Sequence, residues 1–131
     1  MTDPVEFLDL DDLIALAARL LGDPPPVRDV GLLAAAVARP QTTVGEHDAY
    51  PTTWQKAAAL LQSVVNNHAL IDGNKRLGWL ATAVFLEING RSVANASNED
   101  VYRLVMTVAS GPTDLAVIAD ALEAFAAGDG A

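Results

Sequence analysis

The segment His68-Ala69-Leu70-Ile71-Asp72-Gly73-Asn74-Lys75-Arg76 gathers an imidazole, a carboxylate, a glycine, an amide and the only adjacent pair of basic residues in the chain. These types suit chemistry on a phosphorylated ligand. A glycine just before a helix lets backbone N–H groups converge on a ligand with no Cβ in the way. The helix start adds unsatisfied donors carrying partial positive charge, and the two together make an anion site. Lys75 and Arg76 fall in the first turn of the helix predicted by the apolar residues that follow. Cations there oppose the helix dipole by about 0.3–1 kcal/mol, and a bound phosphate reverses the sign. Asp72 suits Mg²⁺, a hard cation that takes carboxylate oxygen and shares it with substrate phosphates. His68 offers an imidazole nitrogen that can take a proton.

Each residue alone has a plainer reading. His68 lies three residues after Val65 and seven after Leu61, on an apolar stripe that should face the interior or a cleft. A buried, hydrogen-bonded histidine fits that position as well. Lys75-Arg76 by itself is an ordinary solvated pair, and Asp72-Gly73-Asn74 by itself is a turn followed by a helix cap. Their coincidence within one short segment is what points to a site.

The elements that must position these residues read as all-α. The chain has 131 residues with 51% hydrophobic side chains, the size of one domain, and it can bury enough surface to fold without a disulfide or metal staple. Apolar residues recur at helical spacing, with breakers between the segments. Six helices are predicted: from Asp9 or Asp11 to Leu21, Asp29 to Arg39, Thr53 as N-cap to about Ala69, Asn74 to Ile88, from Ser97 onward, and from Thr113-Asp114 onward. The stripes are Leu10, Leu13, Ile14, Ala17 and Leu21 in the first, Val30, Leu33 and Val37 in the second, and Trp54, Ala58, Leu61 and Val65 in the third. Leu77, Leu80, Ala81, Val84, Phe85 and Ile88 form the clearest stripe, in the fourth, and Ser97 with Asp100 resembles a capping box for the fifth. Gln41 to Tyr50, with β-branched residues around Gly45, reads as a long loop or small hairpin, and the tail from Gly128 to Ala131 is expected to fray.

The charge balance narrows the partners. With 17 acidic against 8 basic side chains and a net charge of -9, the surface as a whole repels duplex nucleic acid and anionic membranes. The absence of cysteine excludes thiol catalysis and cysteine-ligated zinc and fits a reducing compartment. The acidic start, Met1 to Glu6, is unlike a secretory signal, and no apolar run approaches the roughly 18 residues that span a bilayer. A cytoplasmic location is the expectation.

His68 through Arg76 resembles the signature of the Fic/Doc family, H-x-F-x-D/E-G-N-G/K-R, and in particular its Doc (death-on-curing) form, H-x-F-x-D-x-N-K-R. His68, Asp72, Gly73, Asn74, Lys75 and Arg76 all fall in register. Arg28-Asp29-Val30-Gly31-Leu32-Leu33, Ala38-Arg39-Pro40 and Tyr50-Pro51-Thr52 also resemble Doc-type chains, so the likeness runs from about Phe7 to Phe125 of a single domain, residues 1–131. Leu70 stands at the usual Phe position, a core role that Leu can fill. Lys75 replaces the glycine of the adenylylating form, and Trp79 stands where that form has a second arginine gripping the nucleotide phosphates.

For the Doc branch, the resemblance implies a compact bundle of about six helices with a small flap and a reversed nucleotide pose that presents the γ-phosphate for attack. The implied activity is a protein kinase: ATP and Mg²⁺ are used to phosphorylate a serine or threonine of a translation factor, elongation factor Tu in the family's Doc toxin. The implied partner is a separate Phd-like antitoxin, docking as a segment that folds into a groove. The implied roles are His68 as base, Asp72 as Mg²⁺ ligand that also helps to position the hydroxyl, Gly73 and Asn74 as phosphate donors, and Lys75 and Arg76 as charge neutralisers. Thr42, Thr43, Val44 and Gly45 match the flap that aligns a target as an added strand. His47 within it reads as a solvated flap residue beside Glu46 and Asp48. The family's inhibitory pattern, S/T-x-x-x-E-G/N, is not completed: Phe7 follows Thr2 to Glu6, and His47 follows Thr42 to Glu46. The alternatives are AMP transfer through the same motif and an inactive fold kept as an antitoxin-binding or corepressor module.

Overall fold

A computed structural model describes residues 4–127, so the expected fraying of residues 128–131 and the position of Thr2 lie outside the described residues. The elements are α1 (Leu10–Leu21), α2 (Val30–Ala38), a 3₁₀ turn (Arg39–Gln41), β1 (Thr43–Val44), β2 (His47–Asp48), α3 (Thr53–Asn66), α4 (Asn74–Ile88), α5 (Asn98–Ala109) and α6 (Leu115–Ala127). Six helices and a two-stranded hairpin are the expected all-α architecture. No described helix is long and apolar enough to cross a membrane.

Local chemistry fixes most boundaries. Asp9 and Asp12 form a reciprocal capping box at the start of α1, and Thr52 with Gln55 forms another at α3, which places the α3 cap one residue before the expected Thr53. Asp29 and Ser97 cap α2 and α5 through single side-chain bonds. Asp100 does not return the bond to Ser97, and its carboxylate lies 3.6 Å from Arg103 instead. Pro40 ends α2 as expected, and the chain continues through a 3₁₀ turn that does not need the missing N–H.

α3 and α4 form the central pair, packed so closely that a Cβ on Gly78 would lie 2.7 Å from Val65 Cγ2. α3 also packs on α2, α5 and α6, and α4 on α1 and α5. The core of this pair is fully buried: Leu61, Leu77, Ala81, Phe85 and Leu86 are 0–1% exposed. Two stripe positions are corrected. Val30 and Ile88 are exposed, because each sits in an end turn of its helix, beyond the reach of the packed partner.

The largest correction concerns the end of α3. It stops at Asn66, three residues short of the expected Ala69, with Asn67 as C-cap and His68 in the left-handed region at φ 54. The residue after a helix C-cap commonly adopts this conformation, though usually as glycine. The stripe that appeared to carry His68 inward therefore ends before it, and His68 is exposed rather than buried.

Candidate active site

The loop joining α3 to α4 is fixed by its neighbours before it presents any chemistry. Ala69 and Leu70 are 2% exposed, and Leu70 fills the core role expected at the position where the family has Phe. Residues 26–29 lie along the loop. The Arg28 and Asp29 N–H groups donate to the Ala69 carbonyl at 2.8 and 3.0 Å, and Ile71 N–H donates to the Pro26 carbonyl at 2.8 Å. The Arg28 guanidinium donates to the His68 carbonyl through Nε at 3.1 Å and through Nη2. Asn74 clasps the other end: Leu70 N–H donates to its Oδ1 at 3.0 Å, and its Nδ2 donates to the Leu70 carbonyl at 3.1 Å. The Asn74 side chain thus holds the loop through its carbonyl oxygen and one amide N–H, and its backbone N–H lies in the open first turn of α4.

Gly73 is the N-cap of α4, at φ 91, with no side-chain cap bond. A Cβ there would lie 2.7 Å from both δ-carbons of Leu21, so the left-handed backbone and the approach of α1 both favour glycine. The Gly73 N–H is satisfied by Asp72 Oδ1 at 2.9 Å. The N–H groups of the first turn after it, from Asn74 to Arg76, have no partner within the helix by geometry. Lys75 and Arg76 are exposed on that turn, and among the described residues neither takes part in an ion pair.

His68, Asp72, Gly73, Asn74, Lys75 and Arg76 all line one cleft of about 540 Å³. Its other walls include Ile71, Val65 and Asn66, and across from them Met106 and Ala109 of α5 with its C-cap Ser110. The α5 wall was not legible in the sequence, since those residues lie thirty positions away and belong to no motif. The cleft is within the size range of small-molecule sites and places an imidazole, a carboxylate, free helix donors and two cations around one space. No described group of three or more His, Asp or Glu is arranged to hold a metal. A single exposed carboxylate at a phosphate-type site fits Mg²⁺, which is bound through one or two carboxylates with water and substrate phosphates completing its shell.

The flap residues are placed differently. Thr43 and Val44 pair with Asp48 and His47, and Gly45 turns the hairpin at φ 63. Thr42 lies at its base, where its hydroxyl donates to the Arg39 carbonyl at 2.7 Å. None of Thr42, Thr43, Val44 or Gly45 lines the cleft, and His47 is exposed on β2. Two cations that sequence reasoning passed over hold the base of the hairpin. Lys56, 3% exposed, donates to Asp48 Oδ2 at 3.0 Å and to the Tyr50 carbonyl. Arg39 bonds the Tyr50 hydroxyl at 2.9 Å, Gln62 at 2.9 Å and Ser63 at 3.0 Å, with its guanidinium 5.3 Å from the centre of the Tyr50 ring.

Trp79 does not line the cleft. It packs edge-on against Phe125, with ring centroids 6.2 Å apart, and borders a separate groove between α4 and α5. The cations on the α4 part of the cleft are therefore Lys75 and Arg76.

The pattern of the Fic/DOC family matches residues 7–86, from before α1 to near the end of α4 and including the loop between α3 and α4. The chain is also 52% identical to the Toxin Doc of Mycolicibacterium smegmatis (strain ATCC 700084 / mc(2)155) over 125 residues, covering 93% of this chain and 95% of that one. On both counts, this chain belongs to the Fic/DOC family.

Proposed function

We propose that this chain is the toxin of a toxin–antitoxin pair and acts as a protein kinase. It would move the γ-phosphoryl group of ATP to a serine or threonine hydroxyl of a translation factor, elongation factor Tu by family resemblance, and so halt protein synthesis. Its similarity to a protein named Toxin Doc supports the toxin role. The observation that carries the kinase reading is the start of α4, where an uncapped helix and the unpaired Lys75 and Arg76 face the cleft that also holds His68.

In this reading His68 takes the proton of the target hydroxyl as its oxygen forms a bond to the γ-phosphorus, and the bond to the bridging oxygen breaks to release ADP. The first-turn N–H groups of α4, with Lys75 and Arg76, hold the phosphates and offset charge on the transferred group. Asp72 would hold Mg²⁺, which when bound neutralises phosphate charge. Trp79, turned toward Phe125, leaves the cleft without the second arginine that the adenylylating form uses, and this favours γ- over α-phosphate transfer. The exposed β1–β2 hairpin, its base clamped by Lys56 and Arg39, is suited to receive a target segment as an added strand. ATP and the translation apparatus place this activity in the cytoplasm. A separately encoded Phd-like antitoxin would restrain it.

The test is incubation with elongation factor Tu and Mg²⁺ using ATP labelled at the γ- or the α-phosphate. Label should pass to the factor from γ-labelled ATP alone. Transfer from α-labelled ATP would establish AMP transfer instead, and no transfer from either would remove elongation factor Tu as the target.

A further inference from the structure

We infer that Arg28 is a positioning residue that fixes the backbone of His68 and thereby the direction of its imidazole. His68 is the one non-glycine residue with a positive φ among those described, at 54°. After a helix C-cap that conformation is usually taken by glycine, and a residue with a Cβ is uncommon there and strained by it. The restraint visible here is the Arg28 guanidinium, which grips the His68 carbonyl with both Nε and Nη2.

The grip is itself anchored. The Arg28 and Asp29 N–H groups are bound to Ala69, one residue beyond, and Val27 bridges Leu70, so the strap from 26 to 29 is held against the loop before the side chain reaches back. A planar fork on an anchored backbone restricts the peptide between His68 and Ala69 more than a single ammonium would. Arg28 is not part of the cleft wall, so it acts through His68 rather than on the ligand. The consequence for rate rests on the reading of His68 as the base.

The alternative is a merely structural clamp at the end of α3, which would affect stability alone. The chain has two histidines, His47 on the hairpin and His68 in the loop, so selective isotope labelling of histidine yields two imidazole signals with His47 as internal control. Arg28→Gln and Arg28→Lys would be compared with wild type by these spectra, by melting temperature, and by the transfer rate and the KM for ATP well below melting. The expected result for Arg28→Gln is shifted or broadened His68 signals and unchanged His47 signals. The transfer rate should fall about tenfold or more, with KM for ATP within about twofold, and Arg28→Lys should lie between the two.

Unchanged His68 signals in either folded variant would overturn the proposal, as would a loss of rate accounted for entirely by melting. If Arg28→Gln does not fold, Arg28→Lys carries the same comparison. Displaced His68 signals with an undiminished transfer rate would uphold the positioning and refute the base role of His68, which His68→Ala tests independently. Should the wild type show no transfer, the spectra still decide the positioning.

Discussion

α3 and α4 lie side by side in the core but begin in opposite ways. At α3, Thr52 and Gln55 satisfy each other's backbone donors, and the nearest cation, Lys56 at the fourth position, is paired with Asp48. At α4, a left-handed glycine supplies no cap, and Lys75 and Arg76 occupy the turn where the dipole disfavours them. Asp9, Asp29 and Ser97 cap three other helices with side-chain oxygen, so the sequence has the means of closing a helix start and does not use it at α4. The contrast is what the proposed phosphate site requires: donors left open and charges left unpaired serve a bound anion and not the stability of the helix. The cost is small beside the packing beneath it, where Leu77, one residue beyond Arg76, is completely buried.

Substitutions on either side of this contrast should separate chemistry from stability. The largest effect is expected from His68→Ala: a fall of about 10²–10⁴ in the transfer rate and loss of growth arrest on expression, with the melting temperature nearly unchanged because the side chain is exposed. Retained arrest would sink its role. Leu77→Ala should cost about 2–5 kcal/mol in denaturant unfolding, since this residue ties the same turn of α4 to the core. Thr52→Ala should remove about 1 kcal/mol of stability and leave nucleotide affinity as it was; a drop in affinity would show that the two helix starts are not independent. The smallest and most diagnostic effect is that of Lys75→Ala, expected to raise stability by about 0.3–1 kcal/mol when no ligand is present. A loss of stability would mean that Lys75 has a structural partner.

Elements built from local signals were legible in the sequence. Hydroxyl and carboxylate caps, the stripes of α1 and α4, the proline after α2 and the hairpin around Gly45 all follow from neighbours within a few residues. The six residues of the motif were legible as a group, and they do share a cleft. What was missed depends on partners far along the chain. Nothing near His68 announces that Arg28, forty residues earlier, holds its carbonyl, so the apolar period of α3 reads three residues too far, to Ala69. Lys56 looks like a solvated lysine until Asp48 and the Tyr50 carbonyl fold onto it, and nothing near Asn74 announces that its side chain clasps the backbone of Leu70. The α5 wall of the cleft is pure tertiary structure.

The most direct test of the α4 start as a phosphate site is calorimetric titration of MgATP into the wild type and into a Lys75→Ala/Arg76→Ala variant that is at least as stable. The expected result is binding to the wild type and an affinity lower by about tenfold or more in the variant, as fits the loss of charge-assisted contacts to phosphate. Equal affinity in the two proteins would contradict it.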